Sequence, residues 1–468
     1  MFWMARKIPG PPAGVLRMVG PTEDVFAKAL AVQREYGNTV RFWAWPVVNV
    51  TISEPEDLEV FYTSPALQHK PAWICDMMKP ILGEGLVTLD ADDHRRHRRA
   101  ISPSLHLEIL QGFLPLFEQS ARTLCAKMAV HADTGMSFDA QPMLGAYAAE
   151  AICQTVFSDE WEPELHAIRD KFVECQLQAS RVMFYRVMRP WLAWDATFYF
   201  SSRHDEYYEA ASVFETFVST VLSHKMKQLE RGVLGTPGKR RAFLDNVLTC
   251  PEGKQLTREE LTEELKTMSG AAVGTSMDFL CTFLLVMSIK QDVQDRIARE
   301  LDDVFGGSDR PIETADLPHL QYLECAIKES MRLFPPTFGI SRQATQDVKL
   351  PSGHVLPAGC IVGTVPYFTH RLPRHFPDPE AFRPERFLPE NSRGRHPYAY
   401  VPFSAGVRNC IGQRYALMSA KTATSTILRR FRVLPALMGP QRLEDIKFVV
   451  GISMAVHGGA PIRLERRR

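Results

Sequence analysis

The chain has 468 residues, ample for a large apolar core, and a formal charge of only +1 at pH 7. That balance gives no reason to expect a nucleic-acid partner, whose phosphates attract strongly basic surfaces. The nine cysteines are odd in number and scattered, without Cys-x-x-Cys spacing, so they read as neither a disulfide scaffold nor a zinc site and suit a reducing compartment.

At the N-terminus, Met1-Phe-Trp-Met4 is apolar but far short of the roughly 20 residues that span a bilayer. Residues 1–12 are therefore expected to be a short segment without a complete membrane anchor, ahead of one large domain over 13–468. Thr39–Trp43 and Val47–Ile52 are rich in β-branched and aromatic residues and predict a hairpin. Glu54 to Tyr62 reads as a short helix. Helical apolar spacing runs from about Leu107 to Glu230 and from Arg258 to Phe305. The stretch Gly232-Val-Leu-Gly-Thr-Pro-Gly238 reads as a surface loop, not a domain boundary. Val348 to Pro366 holds short extended runs punctuated by proline and glycine, and Phe448 to Leu464 again suggests strands. The expected class is mainly α with small β-sheets.

The most informative stretch is Phe403-Ser-Ala-Gly406-Val-Arg408-Asn-Cys410-Ile-Gly412. A lone thiolate on a tight loop is a good axial ligand for heme iron. Gly406 permits a sharp turn, and Gly412 lets the chain pass close to a flat macrocycle. Ile411 to Arg430 reads as helix, which would put Cys410 at a helix N-terminus, a position that lowers a thiol's pKa. Arg408 is placed to pair with a heme propionate. A buried, inert loop cysteine is the usual fate of a single cysteine, but the ten-residue pattern argues against it here. The segment matches, at every fixed position, the heme-binding signature Phe-x-x-Gly-x-Arg-x-Cys-x-Gly, and so resembles the cytochrome P450 family. The resemblance runs from about Pro9 to Leu464.

Within that family the chain is similar to family four, the fatty-acid hydroxylase group, and especially its animal members. Arg241-Ala-Phe-Leu-Asp245, Arg189-Pro-Trp-Leu192 and Phe376-Pro-Asp-Pro-Glu-Ala-Phe-Arg-Pro-Glu-Arg-Phe-Leu-Pro-Glu390 carry this likeness, with Pro402–Gly406 and Asn409–Gln413. The resemblance implies the P450 fold in a single domain. In membrane-bound members a proline-rich hinge like Pro9-Gly-Pro-Pro12 follows a membrane helix. A shortened chain, an incomplete gene model and peripheral attachment all fit its position here.

Glu329-Ser-Met-Arg332 lies on an expected helix from Leu320 to Leu333, where residues three apart share a face. Most such pairs are exposed and worth little. Here the resemblance implies a buried Glu329–Arg332–Arg386 network that locks the segment before the cysteine loop. His94-Arg-Arg-His97-Arg98-Arg99 by itself reads as a solvated basic face. The family pattern has a Trp and, four residues on, an Arg, both facing the propionates. Arg98 matches the Arg, and His94 replaces the Trp while keeping a hydrogen-bond donor. Arg342 resembles a further propionate ligand. Arg95, Arg96 and Arg99 would face an acidic electron donor.

Glu263 to Ser276 aligns without gaps on the family's distal helix. Thr275 keeps the hydroxyl that serves oxygen in that family, and Ser276 keeps the second. Gly274 replaces the acid that relays protons, so leakage of reduced oxygen as peroxide is expected. Water or a peroxide-type substrate could stand in for the acid. The small residues Gly270 to Gly274 also fit a helix chosen for close packing. Ala271 occupies the position where many family-four members carry the Glu that esterifies heme, so the heme b is expected to be non-covalent. Phe338, Ile340, Ala271 and Ile452, with Ser453 beside it, are the candidate substrate pocket. The aromatics Trp191, Trp194, Phe198, Tyr199 and Phe200 divide evenly between core and a membrane-facing access channel.

The resemblance implies a heme-thiolate monooxygenase using O2 and NADPH electrons through a partner flavoprotein, NADPH–cytochrome P450 reductase, with cytochrome b5 as a second donor. A fatty acid or similar lipophilic substrate, and a place on the cytosolic face of the endoplasmic reticulum membrane, follow from the same resemblance. The alternatives are an isomerase or dehydratase of lipid peroxides, which Gly274 favours and Thr275 opposes, and a catalytically silent heme-binding protein.

Overall fold

The computed structural model describes residues 2–12, 14, 22–44, 47–157, 163–232 and 242–467. All but the first residue of the expected loop after Gly232, and Arg241, lie outside them. The described residues form a mainly helical domain with small sheets, as expected. Among the described residues the helices of nine residues or more are α1 Thr22–Tyr36, α2 Pro55–Thr63, α3 Ala91–Ile101, α4 Leu107–Thr134, α5 Gln141–Ile152, α6 Pro163–Val187, α7 His204–Glu230, α8 Arg258–Ile289, α9 Gln291–Phe305, α10 Gln321–Leu333 and α11 Gln413–Arg430.

The 32-residue α8 is the spine. Thr257 caps it: its hydroxyl accepts from the Glu260 amide while the Glu260 carboxylate accepts from the Thr257 amide. Its C-terminal half, Phe279 to Met287, is apolar on nearly every face and is buried throughout, as a helix at the centre of a large domain must be. It is long and apolar enough to cross a bilayer, but most of that stretch is buried inside the domain. Lys290, which is not helical, separates α8 from α9.

The expected hairpin is β1 Thr39–Ala44 paired antiparallel with β2 Val47–Ile52. Val48, Val50 and Ile52 alternate inward, the period of a half-buried strand. Two short strands pair between them, β5 Val348–Lys349 and β6 Val355–Leu356. β2 continues parallel to β7 Ile361–Thr364, which pairs with β4 Ile340–Gln343, giving a four-stranded sheet in the order β1-β2-β7-β4. Near the C-terminus β9 Phe448–Val450 and β10 Met454–Val456 form a hairpin. β11 Pro461–Arg466 lies between β8 Phe431–Pro435 and β3 Phe138–Asp139. The turn Gly451–Ser453 thereby approaches α8, and an isolated bridge joins Ser453 to Thr337 after α10.

Candidate functional site

The cysteine loop is shaped by its backbone. Gly406 has φ +69°, and a Cβ there would lie 2.3 Å from the Tyr62 carbonyl oxygen on α2, so only glycine fits both the turn and the approach. Ser404 also adopts a left-handed φ of 61°. The Cys410 amide donates to the Phe403 carbonyl at 2.9 Å and closes the loop. A Cβ on Gly412 would sit 3.9 Å from the Cys410 sulfur, so glycine leaves that flank of the thiol open.

Cys410 alone among the nine cysteines is exposed; seven are buried and Cys250 is intermediate. Burial pushes the thiols of Cys175 and Cys325 up to about 11 and those of Cys125 and Cys360 to about 12, which makes them inert. The Cys410 thiol is also pushed up by the dense protein around it, against the pull of the Gly412 amide and the Arg98 guanidinium. This corrects the expectation of a thiol activated by a helix N-terminus. α11 begins only at Gln413, too far along for its first turn to dominate. Cys410 thus combines exposed surface with a dense surrounding of protein. A bound metal cation would supply the missing stabilisation of the thiolate.

Around this loop gathers a positive cluster with a single nearby carboxylate, Asp90, among the described residues. Arg408 is nearly buried; it donates to the Leu89 carbonyl at 2.8 Å, while its Nη2 has no hydrogen-bond partner and lies 3.9 Å from Asp90. Arg342 is buried, and desolvation together with Arg408 lowers it to about 10. Burial drives Lys70 well below the usual lysine range, and Arg342 adds to this. His94 is buried, and desolvation, Arg408, Arg98, Lys70 and Arg342 depress it to about 3, so it stands neutral. Burying several cations together is costly without an anion. Two carboxylates, such as heme carries on its propionates, satisfy that demand. The residues present therefore fit the group: Cys410 would ligate the iron, and Arg408, Arg342, His94 and Lys70 would receive the propionates. Lys70 was not anticipated; it stands alone in sequence, and only folding brings it to the cluster.

Arg98, the other expected propionate ligand, also has a partner within the chain. Its guanidinium donates to the Asn409 carbonyl at 2.6 Å and to the Asn409 side chain at 2.5 Å, clasping the cysteine loop to α3. The basic run is also not a free face. His97 Nδ1 lies 2.7 Å from the Glu264 carboxylate with both side chains buried, and Arg96 pairs with Glu260 at 2.5 Å. These contacts dock α3 on the start of α8. Arg95 and Arg99 remain exposed, whereas Arg96 is committed to Glu260.

The Glu329–Arg332 pair is bidentate, at 2.7 and 2.9 Å, and both side chains are fully buried. Glu329 also accepts from the Arg383 amide at 2.8 Å. Arg386 is a looser third member, its Nε 3.5 Å from Glu329 and without a hydrogen bond. Arg332 donates to the His370 carbonyl, and the His370 ring nitrogen Nε2 accepts from the Val401 amide at 2.9 Å. Burial, with Arg332 and Arg371 beside it, holds His370 down at about 3 and neutral. The network thus reaches the cysteine loop through His370, which sequence reasoning passed over.

On α8, the neighbours Leu265, Val273 and Met277 are buried, but Ala271, Ala272, Gly274, Thr275 and Ser276 retain accessibility. Over this stretch, about one and two-thirds turns, the small side chains keep accessible surface in an otherwise packed helix. The Thr275 hydroxyl donates to the Ala271 carbonyl at 2.8 Å. The glycines divide the two readings of the segment. A Cβ on Gly270 would strike Leu82 at 2.5 Å, a packing constraint, whereas one on Gly274 would meet only Ser453 Oγ at 3.6 Å, an ordinary contact. Phe338, Ile340 and Ile452 are each half-buried. Of the aromatic set only Phe198 is core, under the Arg186 guanidinium at 4.2 Å. Trp191, Trp194, Tyr199 and Phe200 are exposed, Phe200 at 86%, which removes the core reading for those four. A separate hollow of about 900 Å³, lined by Phe26, Leu30, Tyr367 and Phe448, includes neither Cys410 nor Thr275.

Comparison with known proteins agrees with this geometry. Cytochrome P450 4V2 of Homo sapiens is 34% identical over 457 residues, covering 95% of this chain and 86% of that protein. The mouse protein of the same name is 33% identical over 439 residues, covering 92% and 82%. Cytochrome P450 4c3 of Drosophila melanogaster is 28% identical over 486 residues, covering 98% and 89%. The cytochrome P450 family model matches residues 7–456. With the thiolate loop, the buried Glu-x-x-Arg pair and the propionate-competent cations in place, the chain belongs to the cytochrome P450 family and is similar to its family-four members.

Proposed function

We propose that the protein is a heme-thiolate monooxygenase that hydroxylates a fatty acid or a similar long lipophilic molecule, taking O2 and two electrons from NADPH through a flavoprotein reductase. The observation that carries the reading is Cys410, exposed and with its loop closed by the Phe403 carbonyl, beside the cations Arg408, Arg342 and Lys70, with Arg408 Nη2 buried and without a hydrogen-bond partner. When bound there, heme supplies the O–O cleavage and C–H oxidation chemistry. The chain's own residues do the rest. Arg408, Arg342 and Lys70 neutralise two carboxylates, and neutral His94 adds a hydrogen bond. Phe338, Ile340 and Ile452 offer an apolar wall, and the small residues from Ala271 to Ser276 leave room beside it for small molecules.

The name of the human relative specifies no substrate, so the lipid class rests on the family-four likeness and on the apolar lining. The exposed Trp191, Trp194, Tyr199 and Phe200 form a patch suited to a membrane interface, where aromatic rings with polar edges settle. That patch supports attachment at the cytosolic face of the endoplasmic reticulum. Exposed Arg95 and Arg99 support docking of an acidic donor domain, reductase or cytochrome b5.

The test is turnover of a lipid library with NADPH and reductase, compared with lipid hydroperoxides alone. Hydroxylated product formed only with NADPH supports the reading. Fast conversion of hydroperoxides with no NADPH consumption would replace it with the isomerase reading, which Gly274 favours.

A further inference from the structure

Gly274 removes the side-chain acid from the oxygen-facing turn of α8, yet an acid stands one turn further along. Asp278 is 1% exposed, and both its carboxylate oxygens are buried without a hydrogen-bond partner. A carboxylate in such a place is expensive unless it has a task. Positions 274 and 278 lie four apart and share a helix face. Ser453 comes near both, without a hydrogen bond to either carboxylate oxygen. Its hydroxyl lies 3.6 Å from where a Gly274 Cβ would be, and it is also the hydroxyl that neighbours the Asp278 carboxyl. Ser453 itself is nearly buried in the turn between β9 and β10, held against Thr337.

We propose that Asp278 and Ser453 form the proton route that replaces the missing acid: Asp278 passes a proton to the Ser453 hydroxyl, which hands its own into the space left by Gly274 beside Thr275. This deepens the monooxygenase reading and rests on it. The overall reaction, substrate C–H plus O2 plus two electrons plus two protons to alcohol plus water, needs two protons per turnover. The electrons come from NADPH through the reductase, and Asp278 regains each proton from solvent, so it is unchanged at the end. The charged group facing it from the neighbouring helix is Arg181, exposed on α6, and on its own helix the titratable neighbour is Cys281. Burial raises the Asp278 carboxyl to about 7 against the pull of Ser453 and Arg181, which suits both giving and recovering a proton near neutral pH.

The test uses the heme-loaded protein with reductase and compares the parent with Asp278→Asn, Asp278→Glu and Ser453→Ala. Asp278→Asn should lower product formed per NADPH by about a hundredfold, the low end of the range for loss of a positioned acid, with the lost electrons recovered as hydrogen peroxide. Glu at 278 should restore part of the coupling. In the two Asp278 variants heme content, the reduced carbon monoxide spectrum and peroxide-driven turnover, which needs no delivered protons, should not change; a merely structural role would disturb them. Independently of turnover, parent-minus-Asn infrared spectra should show one carboxylic acid band that titrates near neutral pH. A parent that couples NADPH to product while Asp278→Asn couples equally well overturns the relay alone, as does absence of the titrating band. A parent that consumes no NADPH with reductase overturns the relay together with the monooxygenase reading.

Discussion

Glu329 is the position where one substitution should do most damage without touching substrate. Its carboxylate accepts three hydrogen bonds, two from Arg332 at 2.7 and 2.9 Å and one from the Arg383 amide at 2.8 Å. Each bond to a charged group is worth about 1.5–3 kcal/mol. Their plain sum overstates the loss, because Arg332 keeps the His370 and Ala381 carbonyls. The larger consequence of Glu329→Ala is that a fully buried guanidinium loses its counter-charge. Breaking one partner of such a pair costs about 3–5 kcal/mol, a drop of about a hundredfold to a few thousandfold in the folded-to-unfolded ratio. Because Arg332 positions His370, and His370 holds the Val401 amide ahead of the cysteine loop, heme loading should fall with stability. Glu329→Gln keeps the shape and one acceptor and should lose less. Thermal unfolding, together with the reduced carbon monoxide difference spectrum per mole of protein, measures both effects. A Glu329→Ala protein that melts with the parent, carries full heme and differs only in regioselectivity would refute the network's structural role.

Asp278 should leave a mark on stability as a function of pH. Its folded carboxyl titrates at about 7 against an ordinary 3.8, so the unfolded chain releases its proton first and stability falls as pH climbs from about 4 to about 7. Asp278→Asn should therefore gain on the parent across that window and hold its gain above it, by at most about 4 kcal/mol for roughly three units; parallel melting curves from pH 5 to 8 would contradict this. Gly274→Asp has steric room, since its Cβ would stand 3.6 Å from Ser453 Oγ. Placed on the Asp278→Asn background, it should recover product per NADPH, and failure to recover despite full heme would count against a shared proton route. Because Ala271 offers no carboxylate, acid–solvent extraction should release all the heme; heme retained on the polypeptide would identify another attachment.

Much of this site was legible because its signals are local. The glycine-flanked Cys410 loop, the three-residue spacing of Glu329 and Arg332, and the β-branched hairpin all depend on neighbours in sequence. What escaped was assembled from distant segments. Lys70 gains meaning only when folding sets it beside Arg342 and Arg408, and His370 only when it lies between Arg332 and Val401. Asp278 carries no signal in the sequence; only folding leaves its two oxygens buried and unpartnered near Ser453. The basic run misled in part, since Arg96 and His97 are taken up by Glu260 and Glu264 at the head of α8, more than 160 residues away. The local helix N-terminus misled at Cys410 as well, because the density of the protein around the sulfur outweighs a helix that starts three residues later.

The central claim is that Cys410 is the proximal ligand of a heme held by this chain. The most direct measurement is the reduced carbon monoxide spectrum of the heme-loaded protein and of Cys410→Ser. The account predicts the red-shifted Soret band of thiolate ligation in the parent and its loss in the variant. An unshifted band in the parent, or a red-shifted band that survives in Cys410→Ser, would contradict it.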